Sequence, residues 1–285
     1  MAIAMECTVS PIQRERDRYR RRQACKSTLT SVGSTLLLAA LVVLALHNSP
    51  GWPHVRETFF SGPYFMESLP KVWQGILLNL RVLCFTALIV PITATLLAMI
   101  RISRSPVLFP FRVLTQAFTT LLRGIPMIVL LYLIGFGVPG LGVFGGISPT
   151  VLGTVALIVS YSTFTSEVLR AGFQDVHPSQ RASARALGLT SAQTMRLVVI
   201  PQALRKVAPA LMNDFIGMQK DVGLISVLGA VDAVRAAQIE VAASYNFTPY
   251  IVASVLFICA SLPFILWNDW YTAKLRKREL SAGTV

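Results

Sequence analysis

Residues 169–206 read LRAGFQDVHPSQRASARALGLTSAQTMRLVVIPQALRK, a polar stretch set between the apolar runs 149–168 and 207–231. Two short helices can be drawn from it. The first covers about 178–187, with Pro178 suited to the first helical position and Gly188 to the residue after the end. Ala182, Ala186 and Leu189 recur at i, i+4 and i+7, so one side is small and apolar. Arg181 and Arg185, four apart, form a basic stripe beside it. Thr190-Ser191-Ala192-Gln193 fits a capping box that starts the second helix, which Pro201 is expected to end or kink. So short a helix is marginal alone in water and must dock. Periodicity leaves two solutions open. The helix enters a groove on a partner, or it lies on the protein's own face or in the lipid headgroup layer.

The composition surrounding this loop is oily and basic at once. Of 285 residues, 54% are hydrophobic and 14% charged, yet the formal net charge is +13. A soluble domain carries about a quarter charged residues, so this chain has too few to cover a water-facing surface. The same values exclude disorder and argue against a soluble nucleic-acid binder, whose basic residues need a polar surface. What remains is an all-α polytopic membrane helix bundle. Its first apolar run, TLTSVGSTLLLAALVVLAL at 28–46, just covers a hydrocarbon core of roughly 30 Å. The long basic segment ahead of it, and HNSPGWPH after it with no small-x-small site, favour a retained helix over a signal peptide. Further runs lie at roughly 76–100, 113–138, 149–168, 207–231 and 249–271, for six spans. Pro91 is expected to kink the second run, and Arg123-Gly124-Ile125-Pro126 to bend the third and pack against the loop. Tyr250, Trp267, Trp270 and Tyr271 at the ends of the last run form an aromatic belt.

The basic residues fall on one side of this scheme. Segments 1–28, 101–112, 169–206 and 272–285 hold twenty of the 26, whereas 47–71, 139–148 and 232–248 hold three. That asymmetry places both termini in the cytoplasm. The resulting organisation is a basic arm at 1–28, an N-terminal span at 29–47, a periplasmic segment at 48–71, a main transmembrane domain at 72–275 with its cytoplasmic loop 169–206, and a basic tail at 276–285. The arm is also expected to touch anionic membrane lipids.

Polar residues interrupt the fifth run. Asn213, Asp214, Gln219, Lys220 and Asp221 sit in it, and the apolar remainder 222–231 is too short to span alone. Charges within a span are costly and usually face protein or water. Asp214 and Asp221, seven apart, can share a helical face, so Asp214, Gln219, Lys220 and Asp221 are candidates for the wall or gate of a solute pathway. The alternative is an extension of the helix beyond the membrane. Glu167 and Arg170 read as interfacial charge at the edge of the fourth run. Cys7, Cys25, Cys84 and Cys259 show no close pairing, and His47, His54 and His177 no metal-ligand spacing. No cofactor is expected. G-x-x-x-x-G-K-[ST] does not occur, so the chain cannot cradle ATP phosphates and is not expected to be an enzyme.

The 169–206 loop resembles the signature loop of binding-protein-dependent ABC importer permeases. Ala182-Ser183-Ala184 stands where that family has a Glu-Ala-Ala triplet, and Gly188, Val198, Ile200 and Pro201 fill its later positions. ARALGL, IPQALR, KDVGLISVLG and LLRGIPMIVLLYLIGFGVP (121–139) are similar to the polar amino-acid uptake branch, and the resemblance covers about 72–275. It implies a five-helix permease core plus one extra N-terminal helix, in a bacterial inner membrane. It further implies that the short helix, with Arg181, Ala182, Ser183, Ala184, Arg185, Gly188 and Pro201, inserts into a cytoplasmic ABC ATPase subunit. A periplasmic solute-binding protein and a second permease chain, identical or not, complete the implied assembly. The family glutamate falls at Ala182, so any ion pair it makes is absent here. Two other classes compete. An ion-gradient-driven secondary transporter predicts internal repeats, and no convincing repeat is seen. A membrane scaffold needs no polar residues within a span, and this chain has them.

Overall fold

The computed structural model describes residues 11–103, 105–142 and 146–282. Among these residues eleven α-helices follow in order: α1 (Pro11–His47), α2 (Trp52–Phe59), α3 (Gly62–Ile102), α4 (Phe109–Arg123), α5 (Met127–Gly140), α6 (Pro149–Asp175), α7 (Pro178–Ala186), α8 (Ser191–Thr194), α9 (Ile200–Asp221), α10 (Ala233–Ser244) and α11 (Thr248–Ala282). A π turn, Met195–Val199, joins α8 to α9, and a 3₁₀ segment, Val222–Leu228, follows α9. There is no strand among the described residues. The chain divides into two compact units, residues 1–57 and 58–285.

In the first unit the basic arm and the apolar run are one helix. α1 passes through residue 28 without a break, because no proline or glycine occurs between Pro11 and Gly33 to stop it. The first ten residues of the arm lie outside the described residues. Every side chain of the Lys26–His47 stretch is exposed. The segment 48–71, expected to be periplasmic, is largely helical in α2 and the first turns of α3.

The second unit is built around α3 and α6. α3 packs along α6, α10 and α11, while α6 also carries α5 and α9. Apolar clusters stack along the bundle: Val72, Ile76, Ala233 and Val252 at one level, Leu83, Leu157, Val222 and Ile225 at the next, then Ala94, Leu169, Phe173 and Val199. α6 supplies small residues to the interior, Gly153, Ala156, Ser160, Thr163 and Ser166. Small faces let helix backbones approach closely, the way helices associate when hydrocarbon surrounds them. Large apolar residues point outward instead, among them Leu88, Ile92, Phe136, Trp267 and Trp270. A water-soluble bundle distributes its residues the other way.

Among the described residues, four helical stretches are long and apolar enough to cross a membrane: 26–47, 52–102, 149–175 and 248–277. Two bent pairs, α4 with α5 at 111° and the Ser191–Leu228 stretch with α10 at 50°, bring the number to six if each pair is one span. The bend expected at Arg123-Gly124-Ile125-Pro126 in the run 113–138 is the first of these. Gly124-Ile125-Pro126 ends α4 and redirects the chain nearly at right angles, since Pro126 removes a donor and disfavours helix at the residue before it. The expected run 207–231 is corrected by the second: its helix starts earlier, at 200, and its path resumes in α10 after Gly229. Pro91, expected to kink the second run, is held within a continuous α3. Pro201 does not end its helix. Ile200 N–H bonds the Met195 carbonyl across the wider π turn, which makes room for the ring that follows.

Candidate functional site

α9 presents one polar stripe to α6. Asp214 and Asp221, two turns apart, both reach it: Thr165 Oγ1 donates to Asp214 Oδ2 at 3.2 Å and Tyr161 Oη to Asp221 Oδ2 at 2.8 Å. Their carboxylates line a cavity of about 530 Å³ with Arg123 and Pro126 of the α4–α5 bend, Ser160 and Tyr161 of α6, and Asn213 and Gly217 of α9. A second, mostly apolar cavity of about 170 Å³ shares Tyr161 and Asp214 with it. Gly217 also lines the cavity, where an added Cβ would stand 3.2 Å from Tyr161 Oη. Two carboxylates accept hydrogen bonds from a cationic or ammonium group, and Arg123 at the rim offers donors to an anionic one. The cavity therefore suits a small polar or zwitterionic solute.

The four residues expected along a pathway separate. Asp214 and Asp221 meet in the cavity, whereas Gln219 and Lys220 do not line it. At 100° per residue Gln219 lies far round the helix from Asp214. It is buried, with Oε1 lacking a partner among the described residues, and Lys220 is exposed.

The second candidate region is α7, joined to α6 by Val176 and His177. His177 Nδ1 accepts from Ser179 N–H at the helix start, and Gly188, at φ +85°, closes the end in the left-handed conformation that a glycine adopts without strain. Thr190 and Gln193 make the expected capping box. The expected coupling residues divide by face. Ala184 is buried against the chain, and Arg181 donates to the Phe173 carbonyl, which ties α7 back to α6. Ala182, Ser183, Arg185 and Gly188 are exposed, as is Leu187 at 83%. Arg185 Nη1 donates to Ser191 Oγ at 2.7 Å. Pro201 lies beyond the π turn, in the first turn of α9.

Two polar centres escaped the sequence reading. Glu167, read as interfacial charge, is held by three arginines: Arg101 of α3, Arg170 of α6 and, at 3.7 Å, Arg123 of α4. Arg101 also donates to Gln116 of α4, so this one carboxylate fastens three helices. The other centre is Asn79 of α3. Its Nδ2 donates to the Val222 carbonyl at 3.1 Å and to Asp232 Oδ2 at 3.0 Å, and its Oδ1 accepts from Ala233 N–H at 3.0 Å. Asp232 in turn caps α10 through Arg235 N–H. Asn79 thus clamps the break between the 3₁₀ segment and α10 onto α3. Gly75 lies beside it, where a Cβ would come within 2.4 Å of Ala233 N. A lone asparagine inside ILLNLRVL (76–83) and an aspartate just ahead of AVRAA (233–237) were the available signals.

Comparison with known proteins places this architecture. The profile of the family described as binding-protein-dependent transport system inner membrane component matches residues 105–277. The arginine transport system permease protein ArtQ of Bacillus subtilis (strain 168) is 30% identical over 215 residues, 75% of this chain and 96% of that protein. Among solved structures, the crystal structure of an amino acid ABC transporter with histidines superposes with a TM-score of 0.66 at 30% identity, covering 73% of this chain and 96% of that one. The inward-facing MetNI methionine ABC transporter matches in fold, with a TM-score of 0.54 at 22% identity.

Proposed function

The chain belongs to the family of binding-protein-dependent transport system inner membrane components, and from that premise we propose that it forms the membrane pathway for an amino acid in an ABC importer driven by a separate ATPase subunit. The carrying observation is that this chain covers nearly the full length of an arginine-transport permease and of an amino acid ABC transporter chain, each at 30% identity. The cavity between α6 and α9 supports an amino-acid solute, because Asp214 and Asp221 face it from one side and Arg123 from another. Selection among amino acids rests mainly with a periplasmic solute-binding protein. A second permease chain completes the pathway.

In this reading the chain has six spans with both termini cytoplasmic, supported by the one-sided distribution of its basic residues. α7 is the coupling helix. It enters the ATPase by its exposed Ala182, Ser183, Arg185 and Leu187, through packing and one charge, because Ala182 carries no carboxylate. Arg181 acts within the chain as the strut that fixes α7 to α6. When two ATPase subunits close on ATP, the pair of α7 helices moves with them and the bundles rock between inward- and outward-open states.

Co-purification tests this proposal. Tagged chain, purified from the cells that produce it naturally, is expected to retain an ABC ATPase subunit in detergent. Gly188→Arg, which puts a bulky charge on the exposed αL position, is expected to release it while the chain stays in the membrane. A chain that never retains an ATPase, or a Gly188→Arg variant that retains it fully, contradicts the coupling role.

A further inference from the structure

α4 is amphipathic the wrong way round for a helix on a soluble protein. Thr115 and Thr119 are buried against the bundle, Gln116 is held by Arg101, and Arg123 lies near Glu167. Phe111, Leu114, Phe118 and Leu121 form the exposed side. A surface helix in water buries its apolar stripe and exposes its charges, so this exposed arc belongs against hydrocarbon or another protein. The 111° bend to α5 adds an orientation. Where the apolar α5 follows the membrane normal, α4 lies within about 20° of the membrane plane, as interfacial helices do.

Beside α4 runs an open groove of about 630 Å³. Arg101 and Arg112 stand in it, and Val113, Ala117 and Leu121 supply apolar wall. Arg101, Arg123 and Arg170 already share the carboxylate of Glu167, and no Asp or Glu among the described residues lines the groove beside Arg112. Arg101 is nearly buried and engaged by Glu167 and Gln116. Arg112 lies over the Phe109 ring and gives Nη1 to the Ser103 carbonyl at 2.8 Å, its one hydrogen bond among the described residues. Its Nε and Nη2 retain donors.

We infer that this groove holds an anionic phospholipid, its phosphate on Arg112 and one acyl chain along Val113, Ala117 and Leu121. A second copy of the chain fits the groove less well. A two-fold interface through α4 sets the same patch against itself, arginine facing arginine, whereas a phosphate brings the missing charge and its acyl chain covers the apolar wall of the groove. The bound lipid fixes α4, and through Gln116 and Arg123 it steadies the Glu167 cluster at the end of α6, from which α7 departs. The inference requires the chain to be in a membrane and is independent of what it transports.

Site-specific fluorescence quenching tests it. The full chain, with Cys7, Cys25, Cys84 and Cys259 changed to serine, carries one fluorophore at Ala117→Cys or, as reference, at Ile258→Cys on the exposed side of α11. Vesicles contain phosphatidylcholine and phosphatidylglycerol in equal parts, with the acyl-chain nitroxide placed on one lipid or the other. At Ala117→Cys nitroxide-phosphatidylglycerol is expected to quench with roughly fivefold preference, the equivalent of ~1 kcal/mol per basic residue near the surface. At Ile258→Cys the two lipids quench alike. Arg112→Gln abolishes the preference and Arg112→Lys keeps most of it. Equal quenching by both lipids at Ala117→Cys overturns the inference. So does quenching by neither, which places a second copy over the groove. The comparison of the two labelled positions decides the matter even where Arg112→Gln fails to insert.

Discussion

Asn79 and Glu167 carry different kinds of polar burden, and mutation separates them. Asn79 is buried and satisfies a carbonyl, a carboxylate and an N–H at once. Asn79→Ala leaves all three without that partner and is expected to destabilise the chain by about 1–3 kcal/mol, read as a lower midpoint of thermal aggregation in detergent. Gly75→Ala, which drives a methyl group into the Asp232–Ala233 backbone, is expected to do similar damage, about 1–3 kcal/mol of overpacking. Glu167→Gln leaves Arg101, whose side chain is 5% exposed, without a compensating charge. Asp175→Asn breaks the Lys206–Asp175 pair, exposed on both sides, and costs at most about 1 kcal/mol. The same melting measurement should rank Glu167→Gln well below Asp175→Asn. Equal midpoints would sink the claim that Glu167 fastens three helices. The sequence exposed the types of these residues but not their partners, because Asn79 and Asp232 meet only when two distant segments pack.

Elements were legible to the extent that their ends carry local chemistry. α7 begins at Pro178 and stops before Gly188, and the capping box forms at Thr190, all from residues within a few positions of each other. The joins that depend on packing were less legible. Pro201 reads as a stop or a kink, and the helix passes through it after a π turn that gives its ring room. In residues 113–138 the bend itself was legible at Arg123-Gly124-Ile125-Pro126, but not its size of 111°. Hydropathy averages over such a corner because both arms are apolar. α7, largely exposed and tied to the bundle by Arg181 and Ala184, is expected to exchange its amide hydrogens faster than α6 in the isolated chain. It should slow on addition of the ATPase subunit, as read by hydrogen–deuterium exchange. Unchanged exchange in α7 would contradict its role as the docking element.

At the scale of the whole molecule, the oily and basic composition divides between two tasks. The apolar residues cover the outside of the bundle, while small and polar ones fill its interior, and the arginines gather at the segments expected to face the cytoplasm. That polarity predicts sidedness: in intact cells stripped of their outer membrane, an impermeant thiol reagent should label Ser49→Cys and spare Leu187→Cys. The membership of the chain and its helical architecture were readable from motifs in order along 72–275. The cavity was not, since it needs the corner after Arg123, the hydroxyls of α6 and the carboxylates of α9 brought together. The central claim is that this cavity conducts an amino acid on ATP hydrolysed by another subunit. Proteoliposomes containing the chain, its ATPase and its binding protein test it by uptake of radiolabelled amino acids, arginine included. Uptake is expected only with ATP on the ATPase side, and it should fall at least tenfold in Asp214→Asn/Asp221→Asn, a loss of about 1.4 kcal/mol or more. Uptake that persists without ATP and follows an imposed ion gradient would contradict the account.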